Sequence, residues 1–302
     1  MELVNFSGTK KNKSYFEAWY FKHQCDQGMV TVIPGFREDE NGDKSAFIQV
    51  ITEQESHFIS YPAFLFQVDR ERMTIQIANN IFTPKGIALH LHQGEFSFSG
   101  TLRDREFLAT PKESISSLHQ NSRIPYHHQV VSMFHRLSGT LEIGGQALNF
   151  QGGIGYVEQN WGTALPESYV WTQCSGFGQD DSCVIASVEE VPYWAGRRLS
   201  GECSIYYQGR EYHMDTNRGA KVQRWSARGL LIQQGEYRFC ANRLDSGWWI
   251  PMFQEDSPLQ GRPACRTRYQ FYEGNTLIFD VISRRSSFEF THSGRISHQV
   301  SG

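Results

Sequence analysis

Turn-punctuated alternation constrains this chain more than any other feature. Short runs of alternating or wholly apolar residues follow one another, separated by two-residue turns, and no sustained helical period intervenes. Met29-Val30-Thr31-Val32-Ile33 and Ala46-Phe47-Ile48-Gln49-Val50-Ile51 flank an acidic loop holding Asn41-Gly42, a dipeptide suited to the positive φ of a hairpin. Thr140-Leu141-Glu142-Ile143 and Gln146-Ala147-Leu148-Asn149-Phe150 flank Gly144-Gly145. Further turns stand at Gln208-Gly209 and Gly274-Asn275. The aromatic share is high, 14% with 21 Phe, 13 Tyr and 7 Trp, and aromatics favour pleated surfaces and apolar cavities. The pattern predicts an all-β chain with little helix.

About 15 strand-like runs suit two antiparallel barrels of eight strands or fewer better than one. The Gln151-Gly152-Gly153 stretch gives a boundary, with an N-terminal β-barrel domain over 1–152 and a C-terminal β-barrel domain over 153–302. One surface helix is expected after Thr110-Pro111-Lys112-Glu113, where a cap, a first-turn proline and a capping-box glutamate coincide, and Pro125 ends it. Lys plus Arg is 29 against 32 Asp plus Glu, a net charge of −3, which disfavours nucleic acid as a partner. No charged head precedes a long apolar run, and no stretch approaches transmembrane length. A soluble, cytoplasmic chain is the expectation. Six scattered cysteines without a Cys-x-x-Cys pair read as free, mostly buried thiols and give no metal site. His90-Leu91-His92 has ligand spacing but no partner ligand nearby in sequence, so surface histidines are the simpler reading. Trp248-Trp249 reads as core packing ahead of a membrane-touching rim.

Two stretches carry chemistry. In Tyr15-Phe16-Glu17-Ala18-Trp19-Tyr20-Phe21-Lys22, an extended backbone puts Tyr15, Glu17, Trp19 and Phe21 on one face and Phe16, Ala18, Tyr20 and Lys22 on the other. Both faces are aromatic, so the strand is expected to be buried on both sides. A carboxyl among rings loses solvation and becomes a usable acid; bracing of the barrel is the competing role for Glu17. In Gly155-Tyr156-Val157-Glu158-Gln159-Asn160-Trp161-Gly162, Tyr156, Glu158 and Asn160 face one way, as do Trp171 and Gln173 on the next strand. Together they suggest a small-molecule pocket, or equally a polar network pinning one strand pair. Of His127-His128, adjacent on one strand, at most one enters a given face.

These two motifs, with Trp171-x-Gln173 and His128-Gln129-Val130-Val131-Ser132-Met133, resemble the tocopherol cyclase family in order and spacing from residue 15 to about 177. The resemblance implies a lipocalin-like, calycin pair of barrels. It also implies a cofactor-independent cyclase (an intramolecular lyase of the isomerase class) that protonates an alkene of a prenylated aromatic and lets the phenol oxygen capture the cation. That chemistry needs a buried acid, sheltering rings and a polar group for the phenol. The assignment by required chemistry makes Glu158 the proton donor and Glu17 its support. Trp19, Trp161 and Trp171 face the cation, Asn160, Gln173 and His128 meet the phenol, and Tyr15 and Tyr156 complete the lining. The expected partner is a lipophilic small molecule, with peripheral membrane contact, no metal and no cofactor. The alternative is a non-catalytic lipocalin-like carrier of a similar ligand. Ala18 stands where the family pattern has glycine, and the polar stretch 109–125 points to a shorter or more polar ligand.

Overall fold

The computed structural model describes residues 14–292 except 70, 71, 73, 95, 110–124, 178–180 and 195, with backbone alone over 104–109. The helix expected after Thr110 lies outside the described residues. Twelve strands form a first antiparallel sheet: β1 (Tyr15–Cys25), β2 (Gly28–Glu38), β3 (Lys44–Thr52), β4 (Ser56–Pro62), β5 (Phe66–Asp69), β6 (Thr74–Ile77), β7 (Asn80–Thr83), β8 (Gly86–Gln93), β9 (Phe96–Ala109), β10 (Tyr126–Ile143), β11 (Gln146–Asn149) and β12 (Ile154–Gly162). Ten form a second: β13 (Ser168–Ser175), β14 (Cys183–Tyr193), β15 (Gly196–Tyr207), β16 (Arg210–Asp215), β17 (Lys221–Ser226), β18 (Gly229–Gln234), β19 (Tyr237–Arg243), β20 (Ile250–Pro251), β21 (Gln260–Glu273) and β22 (Thr276–His292). Helix among the described residues is limited to 3-10 turns at Ala63–Leu65 and Thr216–Arg218.

The all-β expectation holds, with two large antiparallel sheets, but the strand count and closure differ from it. The first sheet runs β4-β3-β2-β1-β12-β10-β9-β8-β7-β6-β5, with β11 on β10. Its end strands β4 and β5 are linked by the Ala63–Leu65 turn instead of by a ladder. The second runs β16-β15-β14-β13-β22-β21-β19-β18-β17, with β20 on β21. The Asp215 N–H on its end strand β16 donates to Gln234 Oε1 on β18, next to the other end, at 2.9 Å. Each sheet curls around an apolar interior: Phe21, Val32, Val50, Leu89 and Leu141 in the first, Val170, Ile205, Leu230 and Tyr269 in the second. Sheets of this size curl or split to bury one face. The chain crosses from one sheet to the other between Gly162 and Ser168.

A third core lies between the sheets. Ala18, Tyr20, Ile33, Phe47, Tyr126 and Tyr156 from the first sheet pack against Tyr169, Trp171, Ile185 and Phe253. Strand β1 therefore has a buried layer on each side, which is why its sequence is apolar on both faces. The register aligns the two motifs read in the sequence: Ala18 opposes Asn160, Tyr20 opposes Glu158 and Lys22 opposes Tyr156. Five of the six cysteines are buried and all are free. His90 and His92 are exposed.

Candidate functional site

Alternation along β1, β10 and β12 sends two different sets of side chains to the two faces of the first sheet. Tyr156, Glu158 and Asn160 face the second sheet, with His128 and Tyr126 on β10 and Tyr20 on β1 beside them. On the opposing wall Trp171 pairs in register with Glu289 and Ser187, Tyr169 with Glu189, and Ser187 with Glu202. Their side chains therefore point back at the first sheet.

The centre of this layer is His128. Its Nδ1 lies 3.8 Å from Glu158 Oε2, and its Nε2 lies 3.4 Å from Glu202 Oε1. The Tyr156 hydroxyl donates to Glu158 Oε2 at 2.5 Å, and the Tyr126 hydroxyl donates to Asn160 Oδ1 at 2.7 Å. Burial opposes protonation of His128, yet hydrogen bonding and attraction from Glu158 and Glu202 outweigh it and lift the imidazole to about 10. The second sheet supplies carboxyls that burial makes harder to ionise. Burial pushes Glu189 and Glu202 up to about 7. Burial, reinforced by the charge of Glu158, holds Glu289 well above the ordinary carboxylate range. Desolvated carboxyls beside a cation are the arrangement from which proton donors and acceptors are made. Trp171 Nε1 and Asn160 Nδ2 are among the buried donors of this layer that find no acceptor among the described residues. An unmet buried donor costs free energy that a ligand oxygen would recover.

Other contacts tie the layer together. Lys22 Nζ donates to Gln173 Oε1 at 3.0 Å and to the Arg285 carbonyl at 2.7 Å. Its burial lowers the amine to about 8. The Tyr20 hydroxyl donates to Ser287 Oγ at 3.2 Å. At one end of the layer opens a cleft of about 660 Å³. Phe16, Phe47, Leu165 and Phe253 give it an apolar floor, and its charged lining is Arg37 and Lys44 with Glu38, Asp39, Glu40 and Asp43. Phe16 stacks on Tyr126 at 6.1 Å and Tyr126 on His128 at 6.2 Å, so a column of rings leads from the cleft to the carboxyl cluster.

Of the residues read from the sequence, Glu158, Tyr156, Asn160, His128, Trp171 and Gln173 meet in this layer. Gln173 is committed to Lys22 and Ser175. Tyr15, Glu17, Trp19 and Trp161 do not join them, because they lie on the other face of the same strands. Glu17 accepts from the Tyr15 hydroxyl and from Gln159 Nε2, each at 2.8 Å. That is a brace within the first sheet; three residues from Tyr20, which opposes Glu158, Glu17 lies on the other face of the sheet. Trp19 packs against the first sheet's interior, and Trp161 stacks on His127 at 5.5 Å. Trp19 and Trp171 therefore line no common cavity. Sequence reasoning missed Tyr20, Tyr126, Tyr169, Glu189, Glu202 and Glu289. Glu289 carried a usable signal in Phe288-Glu289-Phe290, the same carboxyl-between-rings pattern as Phe16-Glu17-Ala18-Trp19. Trp249 packs against the second sheet's core, with the Arg243 guanidinium 4.9 Å over its ring, while Trp248 is exposed.

The family profile described as Tocopherol cyclase-like matches residues 110–238, a span that holds β10, β12 and β13 and with them His128, Glu158 and Trp171. Over that span the chain is similar to the tocopherol cyclase-like family. The motif at Tyr15–Lys22 lies outside the matched span, and β1 pairing with β12 brings it to the matched segment. No curated protein matches the sequence. Solved structures share the fold at low identity. A protein assigned as AttH from Nitrosomonas europaea aligns over 97% of this chain and 98% of its own, with TM-score 0.56 and 9% identity. CghA aligns over 94% and 90%, with TM-score 0.59 and 10% identity. Kievitone hydratase from Nectria haematococca aligns over 93% and 89%, with TM-score 0.54 and 9% identity. Among the described residues, no helix is long and apolar enough to cross a membrane.

Proposed function

We propose that this chain is a cofactor-independent acid–base enzyme of the cyclase and isomerase kind, working on a lipophilic prenylated aromatic in the layer between the two sheets. The observation that carries the reading is the buried cluster of His128, Glu158, Glu202, Glu189 and Glu289, which sets carboxyls that burial makes harder to ionise around one imidazole, beside a wall of rings. The tocopherol cyclase-like match over residues 110–238 supports it, since the cluster's first-sheet members lie in that span.

The step is an isomerisation. A carboxyl proton adds to the less substituted carbon of the alkene, and the tertiary cation is captured by the phenol oxygen. The phenolic proton then leaves to a carboxylate. One C–H and one C–O bond form, one π bond and one O–H bond break, and no atom is gained or lost. The sequence reading made Glu158 the donor. Its acceptance of the Tyr156 hydroxyl and its place beside His128 suit it better to receive the phenolic proton. Glu289, held in the acid form by burial, takes the donor role. Trp171, Tyr20 and Tyr156, with ring centroids 5.7 to 6.3 Å apart, shelter the cation. The unmet N–H groups of Trp171 and Asn160 hold the ring oxygen.

A carrier without turnover is the second reading, favoured by the 660 Å³ cleft, whose apolar floor would hold a ligand away from the buried carboxyl cluster. Incubation with a panel of prenylated hydroquinones in deuterated buffer separates the two. The enzyme yields an isomeric product carrying one solvent deuterium on carbon. Tight binding by thermal shift with no isomer formed across the panel overturns the catalytic reading.

A further inference from the structure

We infer that the hairpin joining β14 to β15 is a lipid-surface anchor that sets the inter-sheet cleft against an anionic phospholipid interface. The two strands pair without a break from Cys183 opposite Tyr206 to Tyr193 opposite Gly196, so the hairpin is a stiff arm with its aromatic residues at the end. Trp194 is 83% exposed and Tyr193 48%. Their rings lie 6.0 Å apart. An indole that contributes nothing to any core is costly to leave in water, and indole and phenol rings gain most at a lipid–water boundary, where the ring is apolar and the N–H or O–H is wet.

The charge around the tip suits the same boundary. The Arg198 guanidinium lies 4.9 Å over the Tyr193 ring and donates to Asn217 Oδ1, a neutral partner. Arg197, next on the strand, is engaged by Glu167 and Glu190 at 2.8 and 3.7 Å, so Arg198 is the guanidinium that the tip offers beside its rings. Guanidinium groups next to interfacial rings bind lipid phosphate.

The position gives the anchor a purpose. Glu167, which Arg197 grips, is two residues beyond Leu165 in the wall of the cleft. The contact ties the aromatic hairpin to the segment that lines the cleft. A lipophilic molecule leaving a bilayer there meets the cleft's apolar floor of Phe16, Phe47, Leu165 and Phe253. Trp248 offers no comparable arm, since its neighbour Trp249 is packed into the second sheet's core.

The test is vesicle flotation of the full chain with phosphatidylcholine vesicles containing phosphatidylglycerol, read together with tryptophan emission. The anchor predicts that the chain floats with the vesicles, that its emission shifts to the blue, and that added salt weakens the association. Replacing Tyr193 and Trp194 together by Ala should lower vesicle affinity by at least about tenfold, with the melting temperature unchanged because neither ring joins a core. Absence of flotation for the unaltered chain overturns the proposal, as does equal flotation of the double variant. A concentration-dependent dimer that the double variant abolishes, with no vesicle binding, also overturns it and makes the tip a contact between copies of this chain.

Discussion

His128 Nε2 lies 3.4 Å from Glu202 Oε1 across the gap between the sheets, while its Nδ1 keeps Glu158 at 3.8 Å on its own sheet. One imidazolium thus joins two carboxyls that would otherwise face each other unscreened. Removing a partner from a buried ion pair leaves an uncompensated charge, at about 3–5 kcal/mol. His128→Ala should lower stability in urea by about that amount at pH 6. The imidazole is raised from 6.5 to about 10, so its contribution is complete below pH 6.5 and is lost as pH rises through about 10. Urea midpoints measured between pH 6 and 10 should fall in the unaltered chain and stay flatter in His128→Ala. Parallel slopes would show that the imidazolium does not join the sheets.

A pair of histidines inside the first sheet has the opposite sign. His23 and His135 are fully buried inside the first sheet, and both oppose Gly155 from neighbouring strands. A Cβ on Gly155 would lie 2.0 Å from His135 Nε2, so only glycine leaves room for that ring. Burial lowers His23 to about 3, helped by His135, and lowers His135 to about 4. Groups depressed below the ordinary 6.5 contribute stability above that pH and lose it as pH falls towards 4 and then 3. Acid unfolding followed by circular dichroism should therefore steepen below about pH 6. His23→Leu should make the decline between pH 6 and 4 shallower, and an unchanged profile would assign it to the carboxyls.

Fold class was legible in the sequence because turns and alternation are local. Asn41-Gly42, Gly144-Gly145, Gln208-Gly209 and Gly274-Asn275 each close a hairpin that the registers contain. Strand number was less legible, because short strands such as Phe66–Asp69 and Asn80–Thr83 carry little periodic signal. In the site, the face shared by Tyr156, Glu158 and Asn160 follows from a period of two and needed no tertiary knowledge. Which sheet that face would meet depends on β12 inserting beside β1 and on β13 carrying Trp171 opposite it. That is a long-range outcome, and it separates Glu17 from Glu158 although both sit among rings. The partners Glu189, Glu202 and Glu289 come from strands far along the chain, so only the Phe288-Glu289-Phe290 pattern hinted at one of them.

The roles of Glu289 and Glu158 part under the same substitution. Burial keeps Glu289 in the acid form, so Glu289→Gln replaces one neutral group by another of equal shape. Stability at pH 7 should change by no more than about 1 kcal/mol. If Glu289 is the donor, turnover of a prenylated hydroquinone should fall by roughly a hundred- to ten-thousand-fold, with binding nearly intact. Glu158→Gln instead disturbs the acceptor of the Tyr156 hydroxyl and one carboxylate beside His128. It should lower both the melting temperature and turnover. Melting curves and single-turnover rates on the two purified variants decide between the assignments. Full activity in Glu289→Gln beside a stable but inactive Glu158→Gln would return the proton-donor role to Glu158.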